Sequence, residues 1–225
     1  MIIELNNITK TYINADIKRE VLKGIDLSVE KGATFSIVGP SGSGKSTLLN
    51  IIGTLDNPSS GTMKFDGRDL SQYTANQLAE IRNKKIGFIF QSHHLLPQLN
   101  VIENVLVPTI PSKDKAKKKL AAERAINLLE YVGLKDKTHQ LPGQLSGGEA
   151  QRTAVVRALI NEPEIILADE PTGSLNLDSS MMIGELLSKI NKEKNVALIV
   201  VTHSKILANS IGNIYSIKNG LLKKG

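Results

Sequence analysis

Along the first third of the chain, short apolar runs alternate with polar positions and are cut by turn residues. Residues 2–5 and 24–29 fit strands, Lys31-Gly32 is a turn signal, and residues 33–38 fit a buried strand that leads into a glycine-rich loop. Residues 46–53 fit a helix. The segment starting at Pro58-Ser59-Ser60-Gly61 is a turn before a strand at residues 63–65, and residues 86–90 form another short apolar strand. The period then changes. Over residues 116–132 apolar positions such as Ala122, Ala125, Ile126 and Leu129 recur at helical spacing, which favours a helical insertion. A helix is expected after Leu145 as far as about Asn161. It is followed by a buried strand at residues 165–168, a helix around residues 181–191 and a second buried strand at residues 196–201. Two apolar strands flanking a helix predict a βαβ unit and a parallel sheet. The expected architecture is one α/β domain over residues 1–225: a parallel core, an N-terminal antiparallel β layer and a helical subdomain at about residues 91–157.

The chain has 225 residues, enough to bury a sizeable core, and its 40% hydrophobic and 22% charged residues are ordinary for a globular protein. The formal net charge is +6. Lysines cluster between Lys113 and Lys119 and at the C-terminus, where they read as solvated surface, so no nucleic-acid partner is expected. Cysteine is absent, which excludes disulfides and thiolate metal sites. The N-terminal residues lack a basic region followed by a long apolar run, so no signal peptide is expected. No apolar stretch approaches the roughly 20 residues that span a bilayer. A role at a membrane would require a partner to hold the chain there.

Gly39, Pro40, Ser41, Gly42, Ser43, Gly44, Lys45 and Ser46 satisfy the phosphate-loop pattern G-x-x-x-x-G-K-[ST] between a predicted strand and a predicted helix, and Thr47 follows. Glycines let the backbone curl so that N–H groups point at phosphate oxygens. The helix presents its positive end. Lys45 supplies charge to the terminal phosphates, and the Ser46 hydroxyl suits Mg²⁺. This pattern predicts a P-loop NTPase core. Asp169 and Glu170 end the apolar strand at residues 165–168, at the sheet edge where ligands bind in parallel sheets. Asp169 is expected to hold Mg²⁺, directly or through water, and Glu170 to take the proton of the water attacking the γ-phosphate. A pair of surface acids or a helix cap is the competing reading.

Leu145-Ser146-Gly147-Gly148-Glu149, followed by Gln151-Arg152, resembles the signature sequence of ABC ATPases. Ser146 and the Gly147-Gly148 backbone open a helix, so their donors and the helix dipole suit a phosphate. The resemblance covers nearly the whole chain and implies that the signature of one copy meets nucleotide held by the phosphate loop of another. It further implies that Tyr12 stacks on adenine, that Gln91 reaches Mg²⁺ and the attacking water, and that His203 contacts the γ-phosphate. ATP and Mg²⁺ are the implied cofactors. There is one departure: Gly173-Ser174-Leu175-Asn176 carries asparagine where the family usually has an aspartate at the contact between copies. Asparagine keeps the size and an acceptor but loses the charge, which puts the coupling between sites in question.

The stretch from Ile81 to Pro97, containing His93-His94-Leu95-Leu96-Pro97 and followed by Glu103-Asn104-Val105, is similar to the ATPases of lipoprotein-releasing Lol systems and of macrolide-efflux systems. Adjacent histidines rarely point at one ion, so no metal is expected there. Leu95, Leu96 and Leu99 are candidates for anchoring a helix of a membrane subunit, or for packing the subdomain itself. The resemblance implies a homodimer of ATPase subunits bound to integral membrane permease subunits at the cytoplasmic face of the inner membrane. The cargo stays open between lipoproteins, a drug or a peptide. A nucleotide-regulated cell-division scaffold is the reading from another class.

Overall fold

The computed structural model describes the chain apart from residues 15 and 16. Two long strands, β1 (Ile3–Asn14) and β2 (Ile17–Val29), pair antiparallel. With β4 (Ser60–Phe65) and the two-residue β5 (Arg68–Asp69) they form a four-stranded sheet in the order β2-β1-β4-β5. The second sheet has six strands. Its members are β3 (Thr34–Val38), β6 (Ile86–Phe90), β7 (Ile165–Asp169), β8 (Ala197–Val201), β9 (Ile214–Lys218) and β10 (Leu221–Lys224), in the order β10-β9-β3-β8-β7-β6. All its pairings are parallel except β10 with β9.

The core follows from the period of two in the central strands. Ile165 and Leu167 of β7 and Ala197, Ile199 and Val201 of β8 join one buried cluster with the antiparallel layer and the helix α1 (Lys45–Ile52). The alternate residues Ile166, Ala168, Leu198 and Val200 join a second cluster with the helices on the other face. Those helices are α3 (Val101–Leu106), α4 (Lys115–Tyr131), α5 (Gly147–Leu159), α6 (Leu177–Lys194) and α7 (Lys205–Ile211). A strand buried on both faces needs apolar residues at every position, which is why β7 and β8 read as continuous runs.

Differences from the sequence expectations lie mostly at the edges. β1 and β2 extend well beyond the apolar segments, because register shifts after Leu5 and Lys10 carry the pairing through polar residues. The helix α2 (Ala75–Lys85), with Thr74 and Gln77 forming a capping box, has no fully buried residue and packs on the first cluster only through Leu78 and Ile81, too narrow an apolar stripe to reveal it.

Asn104 organises the segment after β6. Fully buried, it accepts from Leu96 N at 2.7 Å and donates to the carbonyls of Leu96, Leu99 and Asn100 at 3.1, 2.8 and 3.1 Å. Replacing it with an isosteric apolar residue strands buried backbone groups, each at about 1–3 kcal/mol. Asn104→Leu is therefore expected to lower unfolding free energy by at least about 2 kcal/mol in urea titrations, with the loop at residues 95–100 losing amide-exchange protection first.

Candidate functional site

The parallel register brings four strand ends to one edge. Phe90 pairs with Asp169, Asp169 with Val201, and Ile37 with Val201, so the residues after β6, β7, β8 and β3 emerge side by side. These are Gln91, Glu170, His203 and the phosphate loop. A cavity of about 590 Å³ opens there, lined by Tyr12, Ser41, Gly42, Gly44, Lys45, Ser46, Thr47, Gln91, Glu170 and His203, together with Arg19 and Val21.

The loop turns into α1 at Gly44. Its φ of 104° is left-handed, and a Cβ there would lie 2.9 Å from Leu22 Cδ2, so only glycine fits. Lys45 is only 8% exposed, and its ammonium donates to the carbonyls of Gly39 and Pro40 at 3.0 and 3.1 Å. The charge is thereby held inside the loop's own curl, where phosphate oxygens are stronger acceptors than carbonyls. Gly39, Pro40 and Ser43 form the back of the loop rather than the cavity wall, and Ser43 Oγ is buried without a hydrogen-bond partner among the described residues.

Ser46 Oγ donates to Asp169 Oδ1 at 3.1 Å. Burial pushes the Asp169 carboxyl above its usual range and the neighbouring Glu170 charge adds to this, against the opposing hydrogen bond from Ser46 and the Lys45 charge. Glu170 has φ 47°, sparsely populated for a residue with a side chain, and its N–H donates to Val201 O at 2.9 Å. Its carboxylate accepts from His203 N at 3.2 Å and lies 3.0 Å from His203 Nδ1. The His203 side chain is 71% exposed and can still reach a ligand in the cavity.

Ser46 and Asp169 are two hard oxygen donors in contact. Among the described residues no group of three or more His, Cys, Asp or Glu gathers to hold a metal. That donor set fits Mg²⁺, which takes few protein ligands and fills its octahedron with water and phosphate oxygens. The half-buried, mutually repelling Asp169 and Glu170 would also be relieved by a divalent cation. Gln91 emerges beside them, and a Cβ on Gly173 would lie 2.8 Å from its Nε2.

Tyr12 forms the far wall. Its hydroxyl donates to Asp56 Oδ2 at 2.8 Å, and Lys10 Nζ sits 2.5 Å from Asp56 Oδ1 and 5.0 Å from the Tyr12 ring centre. Burial raises the Asp56 carboxyl, but hydrogen bonds from Lys10, Tyr12 and Asn57 N outweigh it and leave the group below its usual value. The ring is thus tethered at its tip and 44% exposed, as a stacking platform needs. Arg19, the cross-strand partner of Tyr12, escaped sequence reasoning because only the strand pairing brings it to the cavity.

Ser146, Gly147 and Gly148 are not in this wall. They open α5, where Ser146 Oγ accepts from Glu149 N at 3.3 Å and Glu149 Oε2 accepts from Ser146 N at 2.8 Å, a capping box. Asn176 caps α6, accepting from Ser179 N at 2.9 Å, so its acceptor serves its own helix. His93 and His94 both have positive φ, and Arg157 donates to both their carbonyls. The His94 ring stacks on Phe90 at 5.0 Å.

A strand-loop-helix phosphate cradle, with two carboxylates at the end of a strand two places along the same sheet, defines a P-loop nucleotide hydrolase. The ABC transporter family profile matches residues 22–173. The chain is 45% identical to the lipoprotein-releasing system ATP-binding protein LolD of Shewanella frigidimarina, covering 99% of this chain and 92% of that one. It is 44% identical to the LolD of Syntrophus aciditrophicus, over 97% of each. Among solved structures, the dimeric bacterial ABC transporter cassette MJ0796 superposes with a TM-score of 0.88 at 40% identity, over 99% of this chain and 98% of that one. A dimeric post-hydrolysis state of the same cassette with ADP and Pi superposes with a TM-score of 0.86 at 38% identity, with the same shares of both chains covered. The chain belongs to the ABC transporter family: it is an ATP-binding ATPase cassette.

Two outcomes follow for single residues. Because the Asp169 pKa is raised, its ionised form weakens the ligand-free fold. This penalty is absent below the unfolded-state value of 3.8 and complete once pH exceeds the folded value. Asp169→Asn is expected to raise the ligand-free melting temperature at about pH 7 and to lose that gain near about pH 3.5, as read by thermal denaturation. Asn176→Ala is expected to cost about 1 kcal/mol as a lost helix cap, and Asn176→Asp to retain the cap, as read by urea unfolding.

Proposed function

We propose that this chain is the ATP-hydrolysing subunit of a transport complex that releases lipoproteins from the bacterial inner membrane. Two copies work as a pair, bound to integral membrane subunits at the cytoplasmic face. Near-full-length similarity to lipoprotein-releasing ATP-binding proteins supports the cargo. The single observation that carries the mechanism is the separation of the two phosphate-binding features: the Ser146-Gly147-Gly148 tip is outside the cavity formed by the phosphate loop. A helix tip with free N–H donors and a positive dipole end suits the phosphates of a nucleotide held by another copy.

In this reading Lys45 and the N–H groups from Gly39 to Thr47 hold the polyphosphate, and Tyr12 stacks on adenine. Ser46, Asp169 and Gln91 would hold Mg²⁺, which would supply charge neutralisation on the phosphate oxygens. Glu170, held at its backbone by β8 and oriented by His203, accepts the proton of the attacking water. His203 donates to the γ-phosphate. The chemistry is mainly positioning and electrostatic stabilisation, with little covalent work for the protein.

Among the described residues no helix is long and apolar enough to cross a membrane, so force must pass through a partner's helix. A groove of about 480 Å³, whose walls include Leu55, Phe88, Phe90, His94, Pro108 and Arg157, supports a docking place beside the His-His-Leu-Leu-Pro segment. Leu96 is exposed there, whereas Leu95 and Leu99 are half-buried and serve partly in packing. The helical region at residues 91–157 would then move with the partner when the pair closes.

The test is reconstitution of the chain with its membrane subunits in vesicles carrying a lipoprotein. Addition of ATP is expected to release lipoprotein to a soluble acceptor. Glu170→Gln is expected to reduce turnover at least about a hundredfold, with ATP binding retained and release abolished. ATP hydrolysis with release of a small drug and no lipoprotein would overturn the cargo assignment. Unchanged turnover in the variant would remove Glu170 from the role of base.

A further inference from the structure

Away from the nucleotide cavity, positive charge concentrates at the start of α4. Lys113, Lys115, Lys117, Lys118 and Lys119 are all exposed, and among the described residues none pairs with an acid. The single acid among residues 110–122 is Asp114. Its carboxylate is taken up as the cap of α4, accepting from the N–H groups of Ala116 and Lys117 at 2.9 and 3.2 Å. Five lysines against one acid leave +4 on this short stretch, compared with +6 for the whole chain. The helix itself does not call for them. Lysines in the first turn oppose the helix dipole, and Lys115 and Lys119 repel each other one turn apart. Nor do they serve the core, since α4 buries no residue before Ala121.

Apolar side chains sit among these charges. Ile110 is 65% exposed and Leu120 60%, and Leu120 lies one turn on from Lys117 on the same face of α4. Large apolar groups interleaved with lysines suit a surface with an anionic outer layer over an apolar interior. A nucleic acid offers the charge without the apolar layer. The place of the patch agrees with a bilayer. Ile110 closely follows Pro108, which lines the groove assigned above to a partner's helix. Pro163 lines both that groove and a cavity of about 690 Å³ whose wall includes Leu120, Glu123 and Arg124 of α4. Arg124 pairs with Glu162 and fixes the helix there. The start of α4 therefore borders the place where the membrane partner would dock.

We propose that the five lysines, with Ile110 and Leu120, form a surface that rests on anionic lipid headgroups beside the membrane subunits. This rests on the membrane-bound reading above and adds a contact that the chain makes with lipid directly. Headgroup phosphates take the place of the missing acidic partners, and the two apolar side chains enter the headgroup layer. The contact weakens with salt, because exposed charges are screened.

The chain has no tryptophan, so Leu120→Trp reports without background. ADP saturates the phosphate loop in every arm, so that only the patch meets the vesicles. The emission is expected to shift to the blue on vesicles of phosphatidylcholine mixed with phosphatidylglycerol, and to stay unchanged on phosphatidylcholine alone. In a second arm Lys113→Gln, Lys115→Gln, Lys117→Gln, Lys118→Gln and Lys119→Gln are combined. Glutamine keeps the helix propensity and removes the repulsion, so folding is preserved. By co-sedimentation this variant is expected to bind the mixed vesicles at least about tenfold more weakly than the parent chain. Its ATPase turnover with the membrane subunits in neutral detergent is expected to be unchanged. Equal binding of the mixed vesicles by both chains, or no blue shift, overturns the headgroup contact. So does loss of the membrane subunits by the glutamine variant in that detergent, which assigns the lysines to an acidic segment of the partner. A parent chain that binds no membrane subunits removes the membrane-bound reading, and the headgroup contact falls with it.

Discussion

The hydrogen bond from Ser46 to Asp169 is the contact on which the site depends. It ties the first turn of α1 to the end of β7, so the phosphate loop and the acidic pair keep one spacing. Everything around it follows from the parallel register. Asp169 pairs with Phe90 on one side and Val201 on the other, which sets Gln91 and His203 at the flanks of Glu170. The central strands are buried on both faces and cannot slip by one residue without turning one apolar cluster toward the other. The rigidity of the sheet is thereby passed to the site. The raised Asp169 carboxyl is the electrostatic consequence: a partly desolvated acid beside another acid resists ionisation.

The same architecture keeps the phosphate loop and the tip of α5 apart within one copy. The phosphate loop opens toward a cavity rimmed by His203, and the serine-glycine tip of α5 lies outside its wall. In the proposed pair, a helix end from the other copy would complete each site. Asn176, at the start of α6, is occupied as a helix cap. Its neutral amide accepts from the backbone as an aspartate would.

Much of this could be read in the sequence, and the reasons are local. β7 and β8 are continuous apolar runs, the phosphate loop is a contiguous string, and Ser146 with Glu149 is a capping box at fixed spacing. What escaped depends on distant partners. Tyr12 is fixed by Asp56, 44 positions away, and Arg19 reaches the cavity only because β2 folds back on β1. The histidine pair reads as a surface motif in sequence, yet its backbone is held in left-handed conformation by Arg157, more than sixty positions later. α2 turns only Leu78 and Ile81 toward the core and α7 spans only seven residues, so neither carries a strong periodic signal.

The most direct measurement is a crystal structure of the Glu170→Gln chain trapped with ATP. The account expects two copies around two nucleotides, each triphosphate touching Lys45 of one copy and the Ser146-Gly147-Gly148 tip of the other. Nucleotide bound by a single copy, with that tip exposed to solvent under conditions that block hydrolysis, would contradict it.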